Sequence, residues 1–206
     1  MPRVAEDRAP AEPTSPEQKE RYRRILRAAA RHGAVKEMER VQMLDVARDA
    51  GVAIATLYRY FPSKTHLFTA LMRSQVERLA ELAVEPVPGE PAEEAIARLL
   101  IRSGRWLLST PLLAHAMMQS NNATVAQTPS AGVTEAFTDL MLTAGGFEEP
   151  TDHELRLLRL LEQSWYGILI TALNGHITHE QAEADTVLVC RALLREREPV
   201  DDLTSA

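Results

Sequence analysis

Four side chains between residues 56 and 64 can bind phosphate groups and the edges of nucleic-acid bases: Thr56, Tyr58, Arg59 and Lys64. Each hydroxyl can donate to a phosphate oxygen, and the guanidinium and ammonium groups can also neutralise phosphate charge. The first three lie on a short helix predicted from about Ala53 to Phe61, and Lys64 begins the next helix. We therefore expect a nucleic-acid-binding surface here.

The apolar spacing of this short helix predicts which side chains face outward. Leu57 and Phe61, four residues apart, should turn inward, which leaves Tyr60 outward together with the three candidates before it. The helix begins Ala53-Ile54-Ala55, which offers methyl groups and no side-chain hydrogen bonds. Contacts with thymine methyl groups are therefore expected at its start, and direct reading of purine edges should be sparse.

A second short helix precedes this one at a tight turn. Met43–Ala50 is amphipathic, and Gly51 supplies a position where a positive φ costs little. Two helices joined so closely must cross steeply, as in a helix-turn-helix, here predicted at about residues 42–61.

The block that contains Tyr58, Tyr60, Phe61, Pro62 and Lys64 resembles the N-terminal domain of the TetR family of transcriptional regulators. The resemblance is specific over residues 20–70, and residues 41–43 and 53–64 are also similar to actinobacterial repressors of sterol catabolism. It implies a palindromic operator on double-stranded DNA. The DNA-contacting residues expected from spacing and resemblance are Gln42, Met43, Leu44, Ile54, Thr56, Tyr58, Arg59, Tyr60 and Lys64.

The sequence departs from the family pattern at two helix starts. Many relatives have a serine where Ala53 stands and a threonine near Gln42 or Met43, and each can cap a helix and contact a phosphate. Loss of such a cap costs on the order of 1 kcal/mol.

Charge is distributed unevenly along the 206 residues, whose net charge is -6. Residues 1–65 carry 13 Lys and Arg against 9 Asp and Glu, whereas residues 66–206 carry 10 against 20. Attraction to phosphates depends on local charge, so a basic head on an acidic body can still bind DNA. The first helix supplies five arginines, for which a solvated face is an equally good interpretation: Arg21, Arg23, Arg24, Arg27 and Arg31.

Helix starts and stops predict an all-α fold of about nine helices, with no convincing strand pattern. Ser15, Ser63, Thr151 and Thr178 are expected to cap helices 1, 4, 8 and 9, and prolines open helices 5, 6 and 7 at Pro91, Thr110-Pro111 and Thr128-Pro129. Expected ends are Gly33 for helix 1, Val84 for helix 4, Gly145-Gly146 for helix 7, Asn174 for helix 8 and Arg197 for helix 9.

Three regions follow from this organisation. Residues 1–14 read as a flexible arm, residues 15–65 as a helix-turn-helix DNA-binding domain, and residues 66–206 as a ligand-binding and dimerisation domain, with a proline-rich linker at residues 85–91. Helices 8 and 9 carry more apolar surface than one small core needs, and Gly167 permits close approach. We expect a homodimer through these two helices, which is also how the family usually dimerises.

A small-molecule effector is implied by the family, and the resemblance to sterol repressors suggests a bulky apolar one. Apolar residues of the body could line its pocket, although each taken singly is more often core. The expected ligand-binding residues are Trp106, Leu113, Met117, Met118, Asn121, Phe137, Met141 and Trp165.

Two other classes of function remain as alternatives. One is a ligand-binding or interaction module that has lost DNA binding, which the apolar start of the helix at Ala53 leaves open. The other is a helical enzyme, but no phosphate-binding glycine loop, nucleophile elbow or cofactor motif supports it. His176 and His179 have a metal-compatible spacing that a helix boundary interrupts, and Cys190 fits an inert thiol in a reducing cytoplasm.

Overall fold

The structure, a computed structural model, describes residues 10–81, 89–127 and 133–195. These residues form nine α-helices and one short 3-10 helix, Met38–Arg40, and no strand, which confirms the predicted all-α class. The α-helices are α1 Pro16–Val35, α2 Met43–Asp49, α3 Ile54–Tyr60, α4 Lys64–Glu81, α5 Ala92–Ser109, α6 Pro111–Gln127, α7 Thr134–Gly145, α8 Asp152–Leu173 and α9 His179–Leu194.

The predicted caps are present at four helix starts. The Ser15 hydroxyl accepts from the Gln18 backbone N–H at 3.2 Å, and Ser63 accepts from the N–H of His66 at 3.3 Å. Thr151 and Thr178 each form a complete capping box. These local interactions satisfy N–H groups that have no partner within the helix, which explains why the sequence located these starts well.

The end predicted for α1 at Gly33 is wrong, because the helix continues two residues further to Val35. Gly33 is buried, and a Cβ placed on it would lie 2.8 Å from Leu113 Cδ1 and 2.8 Å from Phe68 Cε1. Gly33, which has no side chain, therefore allows α1 to pack closely against α4 and α6.

Other boundaries agree where they can be compared. Helix α7 ends at Gly145 and α8 at Leu173, as expected, while α9 ends at Leu194, three residues before the expected end. The expected end of α4 at Val84, the linker up to residue 88 and the expected start of α7 at Thr128-Pro129 lie outside the described residues.

The helices group into two compact units. Unit 1 comprises the described residues within Met1–Arg78 and Thr110–Glu135, and unit 2 those within Leu79–Ser109 and Ala136–Ala206. Helix α6 therefore belongs with the first four helices and packs against α1. These units divide the chain differently from the functional boundary expected at residue 65, which stays a prediction.

Unit 2 is built around α5, α8 and α9, with α7 beside them. Gly104 on α5 allows close approach to α8, since a Cβ there would lie 3.4 Å from Leu169 Cδ2. The rings of Phe137 and Trp165 stack with centroids 5.3 Å apart. Over the described residues, no helix combines the length and apolar character that crossing a membrane requires.

Candidate nucleic-acid interface

Helices α2 and α3 form the predicted helix-turn-helix. Gly51 adopts a φ of +65° between them, and the N–H of Val52 donates to the Ala47 carbonyl at 3.0 Å. The residues before the two helices, Gln42 and Ala53, make no capping hydrogen bond with their side chains. The N–H groups at both helix starts thus lack the hydroxyl caps expected in many relatives.

The outward face of α3 carries three exposed residues. Tyr58 is 44% exposed, and Ala55 and Arg59, one helical turn apart, lie beside it. Ile54 and Thr56 are half-buried. Ala55 was missing from the expected contacts, although its position four residues before Arg59 places it on the same face.

Three of the expected DNA contacts lie at the start of α2, and two of them are exposed. Leu44 is 57% exposed and Gln42 is also exposed, so both are accessible to a partner. Met43 is buried in the core of unit 1, so its side chain is not accessible on this surface.

The expectation that Tyr60 faces outward is wrong, because the residue is only 1% exposed. Its ring meets Tyr22 of α1 edge-on at 5.7 Å and Phe61 at 6.3 Å, and the Tyr22 and Phe61 centroids are 4.8 Å apart. Burial raises the pKa of Tyr22 above its ordinary value. Because this cluster forms between α1 and the end of α3, helical spacing on α3 alone could not reveal it.

Lys64 begins α4, as expected, but its ammonium group is already engaged. Nζ donates to the Glu39 carbonyl at 2.7 Å and to the Met38 carbonyl at 3.2 Å. Lys64 thus fastens α4 to the 3-10 helix before α2. An ammonium group has three donors, so one remains for a phosphate.

The arginines of α1 are mostly exposed and partly paired. Arg27 donates to Glu20 at 2.5 Å, and Arg23 lies 4.0 Å from the same carboxylate. Exposed pairs of this kind contribute little to stability. A contact between side chains also joins α1 to α2, because His32 Nε2 and Asp49 Oδ2 are 2.8 Å apart.

The structure distributes the expected effector-binding residues over both units. Leu113, Met117, Met118 and Asn121 lie on α6 in unit 1, and all four are buried. Asn121 has a structural contact as well, since its Oδ1 accepts from the Val133 N–H at 3.2 Å. In unit 2, Trp106 is half-buried, and Phe137, Met141 and Trp165 are buried. Their role in ligand binding stays a prediction.

An open cavity of about 550 Å³ lies in unit 2 between α5 and α9. None of the eight expected ligand residues lines it. Arg105, at its edge, donates to Glu183 at 2.6 Å, and this hydrogen bond holds the pKa of the Glu183 carboxyl below its ordinary value. The lining residues are Glu93, Glu94, Ala97, Arg98, Ile101, Arg102, Arg105, Val187 and Arg191.

The histidine pair and the cysteine can also be placed. His176 follows the turn at Gly175, whereas His179 is the first residue of α9, so the two do not share a helix. Among residues 10–81, 89–127 and 133–195, no group of three or more acidic, His or Cys side chains could hold a metal ion. Cys190 is fully buried, and burial raises its pKa to about 12.

Two short helices joined by a tight turn, with an exposed polar and aromatic face on the second, place the protein in the class of helix-turn-helix proteins. Two family models match residues on both sides of the linker. The model for "Bacterial regulatory proteins, tetR family" matches residues 25–71, and that for "Tetracyclin repressor-like, C-terminal domain" matches residues 89–193. The chain belongs to the TetR family of bacterial regulatory proteins.

Individual relatives agree with this assignment. The HTH-type transcriptional repressor KstR of Rhodococcus jostii is 34% identical over 161 residues, which cover 76% of this chain and 74% of that protein. KstR of Mycobacterium tuberculosis is 28% identical over 92% of this chain and 88% of its own. A crystal structure of a TetR transcriptional regulator from a Rhodococcus species is 45% identical, covers 90% of this chain and all of its own, and superposes with a TM-score of 0.81.

Proposed function

We propose that this protein is a DNA-binding transcriptional repressor that recognises a palindromic operator and is released by a small apolar effector. The observation that carries the proposal is the outward face of α3, where Tyr58 and Arg59 are exposed. The relatives named as repressors support this direction of control. The proposed partner is chromosomal DNA, so we place the protein in the cytoplasm.

Fluorescence anisotropy with DNA from upstream of the protein's own gene tests this proposal. Binding should be tight and should weaken steeply with salt, because phosphate contacts release counterions. Tyr58→Ala should lower affinity about tenfold or more, because it removes a hydrogen-bond donor to a phosphate. Lys64→Ala should also lower affinity, and the slope of log affinity against log salt concentration should become shallower by about one, because one phosphate contact is lost. Arg98→Ala, which removes one exposed positive charge from α5, serves as the control and should bind normally.

Binding that neither substitution affects would overturn the proposed interface. A selection from a random DNA library would then separate two explanations. Enrichment of a palindrome would mean that the upstream fragment lacked the operator, whereas no enrichment would favour a module that does not bind DNA.

We infer that dimerisation uses the outer faces of α8 and α9. On α9, Ala184, Leu188 and Ala192 recur every four residues and are all exposed, Leu188 by 67%. On α8, Leu160 is 41% exposed, and a Cβ added to Gly167 would meet no atom within 4 Å. Small side chains flanking exposed leucines suit close helix packing about a two-fold axis. A monomeric mass by light scattering at micromolar concentration would contradict this.

The effector proposal rests on the family and on the KstR relatives. We expect a bulky apolar molecule, such as a steroid acid or its acyl thioester, to bind in unit 2 among the predicted residues Trp106, Phe137, Met141 and Trp165. Such a ligand should favour a dimer in which the spacing of the two DNA-binding domains no longer matches the two half-sites of the operator.

Anisotropy with preformed protein–DNA complex checks this. A steroid acid and its coenzyme A thioester are titrated separately, and Phe137→Ala removes one half of the stacked pair in unit 2. Release of DNA by wild type at a lower concentration than by Phe137→Ala supports a site there. If saturating ligand leaves DNA affinity unchanged, that ligand is not the effector.

A further inference from the structure

The guanidinium group of Arg59 has a defined position on the outer face of α3. Its Nη2 donates to the hydroxyl of Tyr60 at 3.1 Å, and its Cζ lies 4.9 Å from the centroid of the same ring. The side chain is nevertheless exposed, so this contact holds the group without covering it.

The ring that holds Arg59 is itself buried and packed against other aromatic rings. Tyr60 is 1% exposed and packs edge-on against Tyr22 and beside Phe61. The Arg59 backbone is fixed as well, because its carbonyl accepts from the N–H of Ala11 at 3.0 Å. Both ends of the residue thus have defined contacts within the protein itself.

An arginine can contact DNA in two ways, which differ in how closely the orientation of its side chain must be defined. A phosphate presents several oxygens around one atom, so an arginine can bind it from many directions and with one or two N–H groups. Reading a base edge requires two parallel N–H groups in a set plane. Ordering the side chain in advance reduces the rotamer freedom that binding must remove.

We propose that Arg59 is a specificity-determining residue that reads guanine O6 and N7, and that Tyr60 is the positioning residue that orients it. This rests on the proposed DNA-binding function. The neighbouring outward residues support the assignment, because Ala55 and the half-buried Ile54 offer no hydrogen bonds. Arg59 is therefore the α3 side chain suited to two adjacent acceptors in the major groove.

Selection from a random DNA library tests the reading role. Wild type should enrich one guanine in each half-site, and Arg59→Lys, which keeps the charge but loses the planar fork, should lose about tenfold to a hundredfold of that preference. Other positions of the site should keep theirs. Tyr58→Phe is the matched control on the same helix, and it should weaken binding without changing the base preference.

The outcomes separate this inference from the function on which it rests. An unchanged sequence preference in Arg59→Lys would overturn the reading role and leave a DNA-binding regulator. Failure of wild type to enrich any sequence would overturn both.

A double-mutant cycle tests the positioning role of Tyr60. Tyr60→Phe removes the hydroxyl and keeps the buried ring. It should weaken binding to the selected operator about threefold to tenfold when Arg59 is present and have no further effect in Arg59→Ala. Equal losses in both backgrounds would show that the hydroxyl acts without Arg59, which overturns the positioning role. The urea midpoint of each variant is measured alongside, and an unchanged midpoint for Tyr60→Phe is expected.

Discussion

The outer faces of α3 and of the α8–α9 pair are both exposed, yet they differ in chemistry. On α3 the exposed groups are a phenol and a guanidinium, Tyr58 and Arg59, which hydrogen-bond well to water. On α8 and α9 the exposed groups include Leu160 and Leu188, which do not. The second face remains apolar surface in water until another apolar surface covers it.

Exposure alone therefore does not identify the partner of a surface. Polar and aromatic side chains that are held in place, as Arg59 is by Tyr60, suit a polar partner that must be read. Leucines flanked by alanine and glycine suit a protein partner, since burial of apolar area provides the driving force. The two faces therefore suit two different kinds of partner.

The largest expected effect comes from placing a charge on the apolar face. Leu188→Arg should convert the dimer to a monomer, because the guanidinium would be buried without a counter-charge. Affinity for a palindromic operator should then fall on the order of a hundredfold or more, since two linked half-sites no longer bind together. Light scattering and anisotropy measure the two losses.

Leu155→Arg is the matched control for this experiment. Leu155 is also exposed on α8, but it lies about 140° around the helix from Leu160. It should stay dimeric, and a monomer here would show that the interface is wider than the proposed face.

The converse substitution alters the polar face. Ala55→Glu should lower DNA affinity about tenfold to a hundredfold through repulsion from phosphates, without changing the mass of the dimer. Ala55→Lys, of similar length and opposite charge, should not lose affinity in this way. Equal losses in the two variants would indicate a steric cause and would argue against phosphates near Ala55.

A smaller effect concerns the inner side of α8. Burial raises the pKa of Glu162 from 4.5 to about 7, as expected for a half-buried residue between Leu158 and Trp165 on the helix surface. Between these pH values the unfolded chain has lost the proton that the folded chain retains. The free energy of unfolding should therefore fall as pH rises from about 4.5 to 7 and level off above.

Glu162→Gln should remove this contribution. We expect it to be more stable than wild type by about 1 to 3 kcal/mol at pH 8 and little changed at pH 4.5. Urea unfolding at the two pH values measures the difference. Equal stability of the two proteins at pH 8 would contradict the raised pKa.

The smallest effect is a chemical one on α9. Cys190 is fully buried and its pKa is raised by burial and then by Glu93, so a thiol reagent at pH 8 should label the native protein very slowly. Labelling should become fast in denaturant. Rapid labelling of the native protein would show that α9 opens readily.

Local signals predicted most of the helix boundaries. Ser15, Thr151 and Thr178 mark helix starts through hydrogen bonds made within three residues, so no distant contact is needed to find them. The end of α1 was missed because Gly33 is a common stop signal by itself, whereas here it accommodates Phe68 and Leu113, which are distant in the sequence.

The candidate DNA-binding surface shows the same difference between features set by nearby residues and features set by distant ones. Tyr58 and Arg59 were placed outward correctly by helical spacing, but Tyr60 was not, because its position depends on Tyr22 of another helix. The burial of Met43 was missed for a different reason, since a seven-residue helix has too few positions to define its buried side.

The helical class, the turn at Gly51, the caps and the family could be predicted from the sequence, because they depend on residues close together in the chain. The three-dimensional structure was needed to show that α6 belongs with unit 1, that Lys64 binds the Met38 and Glu39 carbonyls, and that Tyr60 supports Arg59. Helix periodicity gives the direction of a side chain around its own axis. What that side chain meets depends on how neighbouring helices pack, and that arrangement minimises the free energy of the whole unit.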